Sequence, residues 1–159
     1  MKDIEIKINI RHCQLDELDA ADRELVECAI EATENAYADY SHFFVGAAAR
    51  LADGTIVKGA NQENAAYPSG LCAERTAMFA ASANNPGKAM LSLAIVGGFN
   101  GTLSETPCSP CGACRQVMAE YQTLSGQAMS VIMYGTKKTW KFDKVDDILP
   151  FIFDSFNEK

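Results

Sequence analysis

Over the first ten residues Ile4, Ile6, Ile8 and Ile10 alternate with Glu5, Lys7 and Asn9. A period of two predicts a half-buried strand. The period then changes. Leu18, Ala21, Leu25, Val26, Ala29, Ile30, Ala36 and Tyr37 recur three, four and seven apart between charged residues, with Thr33 on the same stripe. This predicts an amphipathic helix over residues 16 to 38. Residues 43 to 51 and 55 to 60 are apolar-rich runs on either side of Ala52-Asp53-Gly54, and Asp-Gly between such runs predicts a hairpin.

After the break Tyr67-Pro68-Ser69-Gly70, a helical pattern covers residues 71 to 83 and stops at Asn84-Asn85-Pro86-Gly87. Residues 91 to 96 are apolar but for Ser92 and predict a buried strand with a parallel neighbour. Ser109-Pro110 then opens a helix to about Tyr121, with Ser109 as N-cap and Pro110 in the first helical position. Short strands at 131 to 134 and 139 to 142 and a helical piece at 145 to 149 complete the pattern. Strands alternating with helices predict a layered α/β sheet. Without repeats, low-complexity tracts or linkers, residues 1–159 read as one domain, with residues 1–14 as an N-terminal strand extension.

Composition narrows the function classes. Hydrophobic residues make up 48% and charged residues 22%, as in ordinary globular proteins. No apolar run approaches the ~20 residues of a membrane span, and the N-terminus lacks the apolar stretch of a signal peptide, so a cytoplasmic location is expected. The net charge of −7 comes without a basic cluster beyond Lys137-Lys138, Lys141 and Lys144, which disfavours a polynucleotide partner. Six cysteines without an export signal point away from a disulfide scaffold, and Cys108, Cys111 and Cys114 crowd into seven positions. Cys28, inside a helical stripe, reads as a packed core thiol.

Two short stretches carry the chemistry: Cys72-Ala73-Glu74 and Pro110-Cys111-Gly112-Ala113-Cys114, each at the start of a predicted helix. The helix dipole and free N–H groups there favour a thiolate. Cys111 and Cys114, three apart, share one helix face, and Cys72 supplies a third sulfur. Three protein ligands leave zinc an open fourth position, the mark of a catalytic site. Glu74, in the same turn as Cys72, can reach a metal-held water as a general acid/base. A metal-binding residue, any residue, Glu, then Pro-Cys-x-x-Cys is the signature of zinc-dependent base deaminases, three-cysteine sites being a variant. Pro107-Cys108-Ser109-Pro110-Cys111 satisfies the second half as well, but Cys108 would precede the helix, so Cys111 with Cys114 is the expected pair. Taken alone, Cys111-Gly112-Ala113-Cys114 also fits a structural zinc half-site or a thiol redox pair.

At these residues the chain resembles the cytidine deaminase family in its smaller, homotetrameric, three-cysteine form. The resemblance runs over residues 16 to 153, through Tyr40-Ser41-His42-Phe43-Phe44-Val45-Gly46-Ala47-Ala48, Asn61-Gln62-Glu63-Asn64-Ala65-Ala66-Tyr67-Pro68, Cys72-Ala73-Glu74-Arg75-Thr76-Ala77 and Ser109-Pro110-Cys111-Gly112-Ala113-Cys114-Arg115-Gln116-Val117-Met118. It implies a three-layer α/β/α fold around a mixed five-stranded sheet. The implied activity is hydrolytic deamination of cytidine and deoxycytidine, in pyrimidine salvage, by a zinc-bound hydroxide with Glu74 as proton shuttle. One Zn²⁺ per chain would sit on Cys72, Cys111 and Cys114.

By the same resemblance Asn61 and Glu63 hold the ribose hydroxyls and Phe43 packs on the pyrimidine. The Ala73 N–H donates to the ring carbonyl, and the Ser109 carbonyl receives the exocyclic amine. Arg75 hydrogen-bonds the thiolates and offsets their excess charge. Tyr67 and Phe153 are implied as contributions to a neighbouring subunit's site, with Phe151 and Phe156 competing for the role of Phe153. Phe44 and Gln62 depart from the family pattern, and the isoleucine-alternating segment precedes it. A deaminase of a nucleoside-like antibiotic such as blasticidin S and a non-catalytic structural-zinc module are the rival readings.

Overall fold

The structure, a computed structural model, describes residues 1–153. Seven strands make one mixed sheet in the order β1-β7-β6-β4-β2-β3, with β5 paired to β4. The strands are β1 Arg11–Cys13, β2 Phe43–Leu51, β3 Ile56–Ala60, β4 Met90–Phe99, β5 Thr102–Leu103, β6 Ser130–Gly135 and β7 Lys138–Phe142. β4 and β6 run parallel; every other pair is antiparallel. Five strands were expected. The additional two, β1 and β5, are three and two residues long, too short to carry a hydrophobic period of their own.

The central strands are apolar on both faces because both are covered. Ala47, Ala49, Leu93, Ile95, Val131 and Met133 join a core with helices α2 (Ala73–Asn84) and α3 (Gly112–Ser125). Their neighbours Ala48, Ala94, Val96 and Ile132 face helix α1 (Ala20–Ala32) with Leu25, Val26 and Ala29. This is the expected three-layer α/β/α arrangement, and it explains why the strands read as near-continuous apolar runs. The Ala52-Asp53-Gly54 connection is the predicted hairpin turn, with Gly54 at φ 87°, a left-handed conformation that glycine adopts without a Cβ clash.

Two glycines set how closely helices approach the sheet. A Cβ at Gly46 of β2 would lie 2.0 Å from the Ala29 carbonyl oxygen of α1. One at Gly59 of β3 would lie 2.3 Å from the Ala77 nitrogen and 2.7 Å from the Ala73 oxygen of α2. The backbone of α2 therefore rests directly on β3, which fixes the height of its first turn.

Three local expectations are corrected. The helix expected over residues 16 to 38 is α helical only at Ala20–Ala32, with 3-10 turns at Leu15–Glu17 and Thr33–Asn35. The Asp19 carboxylate accepts from the Asp22 N–H at 2.8 Å and starts the helix there. Helix α3 starts at Gly112, not at Pro110, and its N-cap is Cys111 rather than Ser109, because the Cys111 sulfur accepts from the Cys114 N–H. Residues 1–10 form no strand, and Ile4, Ile6, Ile8 and Ile10 are exposed. Beside Ile8 and Ile10 lie Asp143, Lys144 and Asp147 with Ala128, too little apolar surface to bury that face. No helix among the described residues is long and apolar enough to cross a membrane.

Candidate active site

Helices α2 and α3 begin side by side, and their N-terminal residues form one end of a cavity of about 610 Å³. Cys72 is the N-cap of α2 and Cys111 that of α3. The sulfurs of Cys72, Cys111 and Cys114 all lie within 4.8 Å of one another. Cys72 and Cys111 are 3.8 Å apart, Cys111 and Cys114 3.4 Å. A tetrahedral ion about 2.3 Å from each thiolate needs sulfurs roughly 3.8 Å apart, so the donor set fits zinc in chemistry and in spacing. Cys108 lies outside this cluster, which removes the alternative Cys108–Cys111 pairing.

The thiols are electrostatically uneven. Hydrogen bonding from the Cys114 thiol, then from Arg75 and Cys111, holds the Cys72 thiol down at about 5. The same bond to Cys72 and burial push Cys114 up. Arg75 Nη2 donates to the Cys72 sulfur at 3.6 Å, while Arg75 Nε is buried without a hydrogen-bond partner among the described residues. The guanidinium thus lies against the Cys72 sulfur and carries positive charge to the edge of the cluster.

Glu74, in the first turn of α2, is only 4% exposed and lines the same cavity. Burial, helped by the Cys72 charge, raises its pKa above the ordinary carboxylate value. A buried carboxyl group with its pKa raised is suited to taking and returning a proton.

The remaining expected site residues also reach the cavity. Phe43, Asn61, Glu63, Ala73 and Ser109 all line it. Gly97, with no side chain, gives room to Phe43 and Cys108; a Cβ there would lie 3.0 Å from the Phe43 ring and 3.1 Å from the Cys108 sulfur. The Asn61 amide bridges β2, accepting from the Val45 N–H at 2.8 Å and donating to the Phe43 carbonyl at 2.9 Å. One Nδ2 hydrogen and spare acceptor capacity remain for a ligand. Glu63 accepts from the Tyr40 and Ser41 N–H groups at 2.9 and 3.2 Å, and the Ser41 side chain and these amides lower its pKa. As the first residue of α2, Ala73 has an N–H with no intrahelical acceptor.

Sequence reasoning named neither the rim nor the floor of this cavity. Tyr40 lines it and meets Tyr67 edge-on at 5.9 Å between ring centroids. Leu71 and Val45 add apolar wall, and Gly97 supplies the space beneath. Tyr40 lay within a quoted block and was open to notice; nothing in the sequence singles out Gly97. Phe153 does not line the cavity of its own chain. Its backbone exchanges two hydrogen bonds with the Gln116 amide, at 2.8 and 3.0 Å, which tie the tail to α3. Phe156, the competing tail residue, lies outside the described residues.

The family model for the zinc-binding region of cytidine and deoxycytidylate deaminases matches residues 19–128, a stretch containing all three cysteines and Glu74. The chain belongs to the cytidine deaminase family. It is a zinc-dependent enzyme by that membership, and its three-sulfur cluster fits the metal. It is 41% identical over 130 residues to a cytidine deaminase of Sporosarcina psychrophila, covering 82% of this chain and 89% of that one. With a cytidine deaminase of Halalkalibacterium halodurans it shares 47% identity over 96 residues, 60% of this chain and 68% of that protein. Among solved structures, the cytidine deaminase of Burkholderia pseudomallei superimposes with a TM-score of 0.70 at 40% identity, over 82% of this chain and 97% of that chain. The Mycobacterium tuberculosis cytidine deaminase does so with a TM-score of 0.67 at 34% identity, over 86% and 100%. The α/β/α fold is therefore that of the family.

Proposed function

We propose that this chain is a single-domain enzyme that hydrolyses the exocyclic amine of cytidine and deoxycytidine, giving uridine or deoxyuridine and ammonia. The observation that carries this is the three-sulfur cluster of Cys72, Cys111 and Cys114 beside the buried Glu74 carboxyl, at the end of a nucleoside-sized cavity. Cys72, Cys111 and Cys114 would hold the zinc, which would supply Lewis acidity to activate water at neutral pH. Glu74 accepts a proton from water and delivers it to the ring nitrogen next to the amine-bearing carbon. Once the water oxygen has bonded to that carbon, Glu74 takes the proton of the added hydroxyl and passes it to the amine, which leaves as ammonia as the carbon–nitrogen bond breaks. Its raised pKa serves both directions of transfer.

The other residues orient the substrate. Phe43 covers the pyrimidine, the Ala73 N–H donates to the ring carbonyl, and the Ser109 carbonyl accepts from the exocyclic amine. Glu63 and the free hydrogen of Asn61 take the sugar hydroxyls. Arg75 keeps the thiolate set from over-neutralising the metal. An acidic net charge and a cavity of about 610 Å³ support a free nucleoside rather than a polynucleotide or a membrane partner. We place the enzyme in the cytoplasm, in pyrimidine salvage, as a homotetramer in which Tyr67 and Phe153 reach the neighbouring site; Tyr67, 74% exposed, also lines the cavity of its own chain.

An absorbance assay with cytidine, deoxycytidine and blasticidin S, with and without a zinc chelator, tests the reading. Chelator-sensitive turnover of the two nucleosides is expected. Preference for blasticidin S, or turnover that survives complete removal of zinc, would refute it. Glu74→Gln should keep one zinc per chain and lose about 10²- to 10⁴-fold in kcat; near-parent activity would remove Glu74 from its role.

A further inference from the structure

We infer that residues 1–10 are one half of an intermolecular β-ribbon: the segment pairs antiparallel with the same segment of a second copy, centred on Ile6. Four observations point this way. Ile4, Ile6, Ile8 and Ile10 share one face by alternation, and they are 88, 48, 48 and 54% exposed. No hydrogen bond involves the backbone of residues 1–10 among the described residues, so a full set of strand donors and acceptors is open. The segment runs directly into β1, the edge strand of the sheet, whose one partner is β7. The groove beside Ile8 and Ile10 is lined by Arg11, Asp143, Lys144 and Asp147 with Ala128 as the one apolar side chain opposite, so the chain's own body covers little of the isoleucine face.

Charge selects the partner and the register. In an antiparallel pair centred on Ile6, Ile6 faces Ile6 of the second copy and Ile4 faces its Ile8. On the other face Glu5 lies opposite Lys7 and Lys7 opposite Glu5, two complementary cross-strand pairs from one self-complementary sequence. Centring on Glu5 instead pairs Asp3 with Lys7 twice but sets Glu5 on Glu5, and centring on Lys7 sets Lys7 on Lys7, so of these three registers the Ile6 centre alone carries no like-charge pair. A parallel, in-register pair places Glu5 on Glu5 and Lys7 on Lys7. The segment is therefore matched to itself in a two-fold, isologous arrangement. Such pairing also closes the exposed edge that an unpaired alternating strand presents to aggregation.

Ile6→Cys places a thiol on the two-fold axis of this ribbon. On mild oxidation the full-length variant should form a covalent dimer on a non-reducing gel well above the background of the parent's six thiols. Glu5→Lys added to Ile6→Cys puts lysine opposite lysine twice, and Lys7→Glu puts glutamate opposite glutamate twice. Each should weaken dimer formation by about 10-fold. An equal mixture of the two charge variants restores opposite charges in the mixed pair and should recover the dimer. The proposal is overturned if Ile6→Cys cross-links no more than the parent, if neither charge variant changes the yield, or if the mixture stays as low as its components. None of these substitutions removes a core contact, because every position is exposed.

Discussion

A methyl group added at Gly59 connects the packing of the fold to the chemistry of its site. Its Cβ would stand 2.3 Å from the Ala77 nitrogen, 2.7 Å from the Ala73 oxygen and 2.8 Å from the Ala77 Cα. All three atoms are backbone, so no side chain can rotate aside. Ordinary contact begins at 3.4 Å, so α2 must retreat from β3 by about 1 Å. Overpacking of this kind costs about 1–3 kcal/mol, which lowers Tm by roughly 2–12 °C in a domain of this size. The same movement shifts Cys72 and Glu74, which sit at the start of α2, and a displacement of about 1 Å at reacting groups costs about 100-fold in rate.

Gly46→Ala is the matched comparison. There the added Cβ would meet the Ala29 oxygen at 2.0 Å, on the α1 side of the sheet and away from the sulfur cluster. Both variants should lose thermal stability, measured by calorimetry of the zinc-loaded protein. Only Gly59→Ala should lose kcat per folded, zinc-containing molecule in the cytidine assay. Equal losses of turnover in the two variants, or a Gly59→Ala enzyme with parent Tm and kcat, would refute the link between β3 contact and site geometry.

Three further outcomes follow from particular contacts. Arg75→Gln removes the guanidinium that helps hold Cys72 at about 5, so protons compete for that sulfur at higher pH. Zinc release on acidification, followed with a chromogenic chelator, should begin at higher pH than in the parent, with kcat lower by about 10- to 100-fold. Burial first, and the Glu74 charge second, push the Cys108 thiol up to about 11, so at pH 8 only about one thiol in a thousand is thiolate. Alkylation by iodoacetamide, read by peptide mass spectrometry, should therefore be slow at Cys108 and accelerate as pH rises towards that value. Asp22→Asn leaves the largely buried Lys141 ammonium without its carboxylate, and should cost about 3 kcal/mol and 6–12 °C in Tm.

The sequence alone determined whatever a local rule can reach. Alternation and helical spacing located β2, β3, β4, β6, β7 and the three helices, because apolar periodicity is the same signal whether read along the chain or across a packed face. The metal donors and Glu74 were legible because two turns of helix start fix their spacing without reference to the rest of the molecule. Local rules failed where a distant partner decides. The alternating isoleucines read as half-buried, yet burial depends on a broad apolar surface, and beside Ile8 and Ile10 this chain places mostly charged side chains. Ser109 read as a helix cap, but the Cys111 sulfur bonds the Cys114 N–H and starts α3 two residues later.

Only the tertiary structure decided three things about the site. It set the distance between the two helix starts, through bare backbone contact at Gly59. It spent part of the Asn61 amide on Phe43 and Val45, so that a side chain lining the cavity also clips β2. It also left Cys108 outside the sulfur cluster, under Phe43 and beside Gly97. Each depends on residues far apart in the chain meeting within a few ångströms, and no spacing within a single segment encodes that.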